Sequence, residues 1–398
     1  MASKEMYEWG AQASVIRDLF MYGQEQAAKI GAENVFDFSI GNPTVPAPPC
    51  IKEAVTEIME TREAVAVHGY TAAAGDPTVR KGLAEYMNNT YDAGVAAENF
   101  YMTCGAAASL AITLKALVES GNDEVIVIAP YFPEYTSFIQ NTGARKVDVP
   151  PDRKYFQIPF ESLEKAITAN KRILIINSPN NPSGVVYSED TYRKLAALLK
   201  IKSAEIGHPI YLIADEPYRE IVYDGLPILY VPKYYENTII CYSYSKSLSL
   251  PGERIGYILV PPCVTDSAAV YTAICGAGRV MGFVCAPHLF QDVVLKCLGK
   301  TADISLYDDN RKLIYNGLTA LGYECVYPSG AFYLFVKSPE DDANAFSKKA
   351  RALNLLIVPA DSFGCPGYVR ISYCVSPDMI RRSLPVFAKL MDRYNKNR

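Results

Sequence analysis

One lysine of this sequence stands where covalent chemistry with a carbonyl compound is possible. Lys246 follows the apolar run 238–242 inside the serine-rich segment 243–247, and Arg254 comes eight residues later. A lysine at the end of a buried strand and close to other cations has a lowered pKa, and Schiff-base formation requires a neutral amine. Most lysines are solvated surface charges, so Lys246 alone does not establish this chemistry.

Polar residues also follow two other apolar runs. Asp215 comes directly after residues 210–214, and the loop 178–184 (Ser-Pro-Asn-Asn-Pro-Ser-Gly) follows residues 173–177. An acid at the end of a strand can bind a cofactor or a metal, but it can equally cap the next helix. The prolines of the loop can be ordinary turn residues, so both readings stay open at each place.

Two further positions favour the binding of anions. The small residues Gly105, Ala106 and Ala107 precede a helical pattern, where backbone N–H groups can approach an anion. Tight packing of a strand on a helix explains such a loop equally well. Arg370 lies inside the apolar run 368–373 and therefore needs an anionic partner, which is either a structural carboxylate or a substrate.

Short β-branched runs alternate with helical patterns in the middle of the chain. The predicted strands cover residues 100–103, 124–129, 146–149, 172–177, 210–214, 238–242 and 256–260. The predicted helices between them cover residues 106–119, 132–141 and 189–206. This alternation predicts an α/β fold with a mostly parallel, seven-stranded sheet sandwiched by helices. Ligands of such sheets bind at the carboxyl ends of the strands.

The pattern changes after residue 285, and three parts of the chain are expected. Residues 1–41 should form helices that pack on a smaller domain, residues 42–285 a large α/β domain, and residues 286–398 the smaller α+β domain. In this last part, a helical pattern over 306–321 precedes a strand-like stretch at 324–336, and a helix over 377–394 follows.

Composition excludes several classes of partner. The 398 residues include 39 Lys plus Arg and 43 Asp plus Glu, with a net charge of −4, so no nucleic-acid partner is expected. No apolar run approaches the roughly 20 residues that cross a bilayer, and no signal peptide is visible. Ten scattered cysteines without a C-x-x-C pair indicate a reducing, cytoplasmic location. Three histidines without a cluster at zinc spacing predict no metal site.

In chain order, the motifs resemble those of the class I aminotransferases, the aspartate aminotransferase-like enzymes of fold type I that use pyridoxal 5′-phosphate. The resemblance extends from about Phe36 to Ser376. Its most specific parts are the loop 178–184, Ala-Asp-Glu-Pro-Tyr at 214–218, and Ser-x-Ser-Lys at 243–246 followed by Arg254. Its weaker parts are His-Gly-Tyr at 68–70, Pro-Tyr-Phe at 130–132 and Gly-Ala-Phe-Tyr at 330–333.

The resemblance implies catalytic roles for three residues. Lys246 would bind the cofactor aldehyde covalently and later carry a proton between substrate and cofactor. Asp215 would keep the pyridine nitrogen protonated, which makes the ring an electron sink. Tyr218 would donate a hydrogen bond to the phenolic oxygen of the ring.

The resemblance also implies how the cofactor is held. Phe132 would stack on the ring, and Asn181 would join Tyr218 at the phenolic oxygen. The phosphate would be held by Gly105, Ala106, Ala107, Ser243, Ser245 and Arg254. Tyr70 would reach that phosphate from a neighbouring subunit, so a homodimer with shared active sites is expected.

For the substrate, the resemblance implies that Arg370 binds the α-carboxylate, helped by Asn181 and the backbone of Gly41. Arg279 and, with less support, Arg17 are candidates for a second carboxylate, although a structural or surface role explains Arg279 as well. Aspartate-handling relatives often carry a lysine or hydroxyl side chain in the phosphate loop, where this chain has alanines. The side-chain specificity therefore stays open.

The leading hypothesis is an aminotransferase that moves amino groups from aspartate, aromatic or neutral amino acids to a 2-oxo acid such as 2-oxoglutarate. The alternative is a β-eliminating C–S lyase with the same cofactor, which Lys246 and Asp215 do not distinguish from it. A binding protein without activity would have little use for Lys246. A dehydrogenase is disfavoured because the glycine-rich stretch 276–282 departs from the dinucleotide fingerprint and follows no strand.

Overall fold

The computed structural model describes residues 2–11 and 14–395 of the chain. Its strands are β1 (Phe36–Asp37), β2 (Phe100–Thr103), β3 (Glu124–Ile128), β4 (Arg145–Val149), β5 (Lys171–Asn177), β6 (Tyr211–Asp215), β7 (Thr238–Ser243), β8 (Gly256–Leu259), β9 (Cys325–Val326), β10 (Tyr333–Lys337), β11 (Leu355–Leu356), β12 (Val358–Pro359) and β13 (Tyr368–Ser372). Its α-helices are α1 (Lys4–Ala11), α2 (Val15–Ile30), α3 (Pro49–Thr61), α4 (Ala64–His68), α5 (Pro77–Tyr91), α6 (Ala106–Leu117), α7 (Tyr135–Gln140), α8 (Phe160–Ala166), α9 (Glu189–Ile206), α10 (Tyr244–Ser247), α11 (Ser267–Val280), α12 (His288–Lys296), α13 (Ile304–Ala320), α14 (Ala343–Arg351) and α15 (Pro377–Asn395).

Seven of the strands form one large sheet in the order β2-β8-β7-β6-β5-β3-β4. The neighbours β4, β3, β5, β6 and β7 run parallel, whereas β8 is antiparallel to both β2 and β7. The prediction of a mostly parallel, seven-stranded sheet is confirmed. Because β5, β6 and β7 are parallel neighbours, the residues that follow them meet at one edge of the sheet.

Helices cover both faces of this sheet, since alternate residues of a strand point to opposite sides. Leu212 and Ile240 are buried on one face, together with residues of α3, α5 and α9. Their neighbours Ile213 and Ile239 are buried on the other face, with residues of α6 and α11. Close packing on both faces fixes the central strands and therefore the positions of the residues at their ends.

Local sequence signals set the ends of several helices. Asp76 caps α5, because its side chain accepts hydrogen bonds from the backbone N–H groups of Thr78 and Val79. Ser188 caps α9 through the N–H of Thr191, and Gly207 ends that helix in the left-handed conformation at φ 79°. The sequence prediction for α9 coincides with the observed bounds for this reason.

A smaller antiparallel sheet has the order β12-β13-β10-β9. The sequence pattern predicts one strand-like stretch over 324–336, which is wrong in part, because residues 327–332 leave the sheet between β9 and β10. Their backbone bonds to other loops instead: Ser329 N–H donates to Gly184, and Ala331 N–H to Ile221. A Cβ at Gly330 would lie 2.9 Å from the Ile221 carbonyl oxygen, so glycine permits this close approach.

Helix α2 lies against the strands of the carboxyl-terminal part, where a Cβ on Gly23 would be 2.9 Å from Leu356 in β11. Helix α12, which follows the predicted boundary at residue 285, buries Val293 and Val294 in the same core as Leu212 of the large sheet. The three domain boundaries themselves stay a prediction. Within the described residues, no helix has the length and apolar character needed to cross a bilayer.

We expect Leu212→Ala, in the centre of the large sheet, to lower the free energy of unfolding by about 2–5 kcal/mol, since it leaves a cavity in a core with little room to collapse. Ile201→Ala is the matched control, because Ile201 on α9 is 58% exposed and its loss should cost at most about 0.5 kcal/mol. Urea denaturation of both variants measures the difference. Equal losses would contradict the described burial.

Candidate active site

A cavity of about 300 Å³ lies where the carboxyl ends of β5, β6 and β7 meet the smaller sheet. Asn177, Asp215 and Ser243, the last residues of these three strands, all line it. Most of the residues singled out from the sequence line the same cavity: Gly41, Ala106, Ala107, Phe132, Asn181, Asp215, Tyr218, Ser243, Ser245, Lys246, Arg254 and Arg370. The fold therefore brings together positions that are far apart in the chain.

Lys246 lies on the short helix α10, directly after β7. Its Nζ donates a hydrogen bond of 2.7 Å to the carbonyl oxygen of Gly41. Burial lowers the pKa of Lys246 to about 8, and the positive charges of Arg370 and Arg254 act in the same direction. About 10–20% of this lysine is therefore a neutral, nucleophilic amine near physiological pH, far more than of an ordinary lysine.

Asp215 ends β6 and is 4% exposed. Its Oδ2 accepts a hydrogen bond of 2.5 Å from the hydroxyl of Tyr135, whereas Oδ1 is buried without a hydrogen-bond partner among the described residues. Burial raises the pKa of Asp215 to about 7, although the bond from Tyr135 opposes the rise. A buried carboxylate oxygen without a partner is costly, so Oδ1 provides a place for a donor from a ligand.

Tyr218 and Tyr333 form a pair of phenols at the side of the cavity. Their hydroxyl oxygens are 2.7 Å apart and share a hydrogen bond. Both side chains are buried, and burial is the main cause that raises the pKa of each hydroxyl. The two hydroxyls therefore stay protonated at neutral pH and act as hydrogen-bond donors to a ligand or to each other.

The amino end of α6 forms one wall of the cavity. Gly105 adopts φ 86°, which favours glycine, and α6 begins at Ala106 with backbone N–H groups that no residue of the same helix can accept. Ser243 and Ser245 also line the cavity, and their hydroxyl oxygens are 2.6 Å apart. Arg254 donates to the Ser245 hydroxyl at 3.4 Å. Together these donors suit an anion such as a phosphate group.

Arg370 occupies the opposite wall, in β13, and is 2% exposed. Its guanidinium donates to Asn181 Oδ1 at 3.1 Å and to the Ser39 carbonyl oxygen at 2.5 Å. The rings of Tyr333 and Phe363 lie 4.8 and 5.1 Å from it. Its Nε is buried without a partner, and no described carboxylate pairs with the guanidinium. The structural-carboxylate alternative is therefore not supported among these residues, and the charge is available for a carboxylate ligand.

Four residues predicted to take part do not line the cavity of their own chain. Tyr70 is 90% exposed, and Arg279, near the end of α11, and Arg17, on α2, are also exposed. Gly105 does not line the cavity directly but precedes the residues that do. Roles for Tyr70 and Arg279 thus require a second subunit, whereas Arg17 directly follows Ile16, a residue of α2 that does line the cavity.

Sequence reasoning missed two tyrosines that contact predicted site residues. Tyr135 binds Asp215 and lies three residues after Phe132, at the start of α7. Tyr333 binds Tyr218 and belongs to the Gly-Ala-Phe-Tyr motif, which was noted only as part of the resemblance. Tyr333 begins β10 directly after a loop, and this position could have identified it as a site residue.

The donor set fits the cofactor that the resemblance implies. The free Oδ1 of Asp215 suits a protonated ring nitrogen, and the amino end of α6 with Ser245 and Arg254 suits a phosphate. Lys246 supplies a neutral amine for an aldehyde. A pyridine ring that carries a phosphate and an aldehyde has all three complementary groups.

Comparison with known proteins agrees with this site. A family model described as "Aminotransferase class I and II" matches residues 33–386. A crystal structure of an amino transferase from Eubacterium rectale superimposes with a TM-score of 0.97 at 57% identity, covering 99% of each chain. The aspartate/prephenate aminotransferase of Thermus thermophilus is 30% identical over 363 residues, 89% of this chain and 90% of that protein. The aromatic-amino-acid aminotransferase 2 of Thermococcus litoralis is 27% identical over 392 residues, 95% of each chain.

The lowered pKa of Lys246 predicts that this residue reacts with acetic anhydride at lower pH than other lysines do. In competitive labelling of the cofactor-free protein, followed by mass spectrometry, its reactivity should rise with a midpoint at about pH 8. Lys337 is the control, because its bond to Glu324 raises its pKa, and its midpoint should exceed the ordinary lysine value of about 10.4. Equal midpoints would contradict the described environment of Lys246.

Proposed function

We propose that this chain, which belongs to the class I and II aminotransferases, transfers amino groups from an L-amino acid to a 2-oxo acid with pyridoxal 5′-phosphate as its cofactor. The chain is an aminotransferase, and enzymes of this family use that cofactor. One observation carries the proposal: the buried amine of Lys246, with a pKa of about 8, shares a cavity with the unpartnered Oδ1 of Asp215.

Each part of the cavity would hold one part of the cofactor. The backbone of Ala106 and Ala107, with Ser243, Ser245 and Arg254, would bind the phosphate. Phe132 would stack on the ring, while Asn181 and Tyr218 would bind its phenolic oxygen. When bound through Lys246, the cofactor supplies an electron sink for the bond that breaks at the substrate α-carbon.

Two residues would move or hold protons during the reaction. Because its pKa is about 8, about half of Lys246 is neutral at pH 8. The neutral amine can take a proton from the substrate α-carbon and later donate it to a different atom. Asp215 would hold a proton on the ring nitrogen, with Tyr135 fixing its other oxygen. Ion pairing with a protonated nitrogen would favour the charged carboxylate and so lower the raised pKa of Asp215.

Arg370 would orient the substrate through its α-carboxylate. A guanidinium binds a carboxylate with two parallel hydrogen bonds, which fixes the direction of the α-carbon. Asn181 and the backbone of Gly41 flank the same position. The anionic substrate would also compensate the charge of Arg370 that no described carboxylate pairs with.

We further propose a homodimer in which each subunit completes the site of the other. Val65, Tyr70, Val280 and Val284 are 62–90% exposed. They belong to adjacent segments, because the His288 ring bonds to the Gly69 carbonyl. Exposed apolar residues that cluster in this way are typical of protein interfaces.

The face formed by residues 65–70 and 280–288 is also close to the cavity. The Cys104 thiol, which precedes the phosphate-binding loop, donates to the Cys285 carbonyl at 3.9 Å. We propose that a second subunit on this face reaches the cavity with its Tyr70 and Arg279. All ten cysteines are free thiols, which supports our proposal of a reducing, cytoplasmic location.

The function is tested by loading the protein with pyridoxal phosphate, reducing it with borohydride and mapping the modified peptide. We expect one modified residue, Lys246, and no modification of the site in Lys246→Ala. Wild-type protein should lose its visible absorbance on addition of an amino-donor substrate. Asp215→Asn should still be modified at Lys246 but convert the donor at least about 100-fold more slowly, because the ring nitrogen loses its charged partner.

Lys296→Ala is the control for Lys246→Ala, since Lys296 forms an exposed ion pair with Glu57; it should keep full activity. Modification at another lysine, or none, would refute the proposed cofactor site. Release of pyruvate and ammonia from cystathionine without any added 2-oxo acid would instead identify the C–S lyase. The relatives reported above carry aminotransferase names, so we expect no such release.

The role of Arg279 is tested with substrates of two kinds. If Arg279 binds a distal carboxylate across the subunit interface, Arg279→Ala should lower kcat/KM for dicarboxylic substrates at least about tenfold more than for aromatic ones. Arg193→Ala, which changes an exposed arginine on α9 that pairs with Glu189 and does not line the cavity, is the control and should alter neither. Equal losses for both substrates would remove Arg279 from this role.

A further inference from the structure

Tyr333 contacts three groups of the cavity that have proposed roles. Its hydroxyl shares a hydrogen bond of 2.7 Å with Tyr218, and its ring lies 4.8 Å from the guanidinium carbon of Arg370. A Cβ at Gly41 would lie 2.1 Å from the Tyr333 hydroxyl, so the hydroxyl touches the backbone whose carbonyl accepts from Lys246. Tyr333 thus lies between the residues for the cofactor and those for the substrate.

The number of hydrogens on this pair limits how it can work. A phenol has one hydrogen to donate and can accept as well. If Tyr218 donates to Tyr333, it has no hydrogen left for a ligand in the cavity. If Tyr333 donates, the hydrogen of Tyr218 is free to point into the cavity, and accepting a bond makes Tyr218 a stronger donor.

We propose that Tyr333 is a positioning residue that donates to Tyr218 and thereby directs the Tyr218 hydroxyl towards the ligand. This inference rests on the proposed function, in which Tyr218 binds the phenolic oxygen of the cofactor. Burial supports it: Tyr218 and Tyr333 are 5% and 2% exposed, so water does not replace a lost partner freely. The ring of Tyr333 meets that of Tyr218 edge-on, with centroids 5.6 Å apart, which holds the two hydroxyls in place.

The direction of the expected change in the pH midpoint follows from the charge on the phenolic oxygen of the cofactor. A donor to that oxygen stabilises its anionic form and therefore lowers the pH at which the bound cofactor loses its proton. Tyr333→Phe weakens Tyr218 as a donor while keeping the ring contacts with Tyr218 and Arg370. The pH midpoint of the visible absorbance band should therefore rise by about 0.5 unit or more.

The experiment measures this midpoint in a double-mutant cycle of Tyr333→Phe and Tyr218→Phe on the cofactor-loaded protein. In the Tyr218→Phe background, Tyr333→Phe should cause no further shift, because its effect passes through the Tyr218 hydroxyl. Tyr373→Phe is the matched control. Tyr373 is buried in the same part of the fold and donates to the Ala331 carbonyl at 3.2 Å, but it does not line the cavity, so its loss should leave the midpoint unchanged.

Gly41→Ala gives an independent route, since a methyl group there must displace the Tyr333 hydroxyl without removing its ring. It should raise the midpoint in the wild-type background. A shift of the same size caused by Tyr333→Phe in the wild-type and in the Tyr218→Phe background would overturn the proposal. An unchanged midpoint in folded Tyr333→Phe would also overturn it. Absence of a visible band in the wild-type protein would refute the proposed function itself, so the two failures are distinct.

Discussion

An excess of positive charge in one cavity, whose Arg370 is fully buried, is the constraint on which this site depends. Lys246, Arg254 and Arg370 line the cavity together with a single carboxylate, Asp215. Asp215 is occupied on one side by Tyr135 rather than by a cation, and the pKa values of Lys246 and Arg370 are both lowered by burial. Buried cations without anionic partners are costly, so anions such as a phosphate and a carboxylate are the ligands that relieve the cost.

The large sheet explains how groups distant in sequence share this cavity. Parallel strands end at the same edge, so Asn177 at the end of β5 pairs with Asp215 at the end of β6, and Ser243 ends β7 two residues beyond Cys241, the partner of Asp215. Apolar packing on both faces holds these strands. The smaller sheet adds the opposite wall through Tyr333 and Arg370, which belong to the paired strands β10 and β13. Rigid elements on both sides give the site its preorganised geometry.

The sequence is sufficient to predict the residues whose place depends on strand ends. The alternation of strands and helices locates Asp215 and Lys246 at carboxyl ends, and the structure brings both to one cavity. It is not sufficient for Tyr135 and Tyr333, because the chain has 29 tyrosines and no periodicity indicates which hydroxyls meet. The break in 324–336 was missed for a similar reason. Its backbone bonds go to loops far away in sequence, such as Gly184, and no local pattern encodes such partners.

The segment 39–41 connects the two cations that a substrate would meet. The Ser39 carbonyl accepts from Arg370, and the Gly41 carbonyl accepts from Lys246. Each of these hydrogen bonds uses a group that the proposed reaction requires. The guanidinium of Arg370 would donate to the substrate carboxylate instead, and the amine of Lys246 would leave its bond with Gly41 in order to react. The two accepting carbonyls are only two residues apart in the chain, so the segment contacts both donors. The position of residues 39–41 is therefore tied to both the substrate-binding arginine and the catalytic amine.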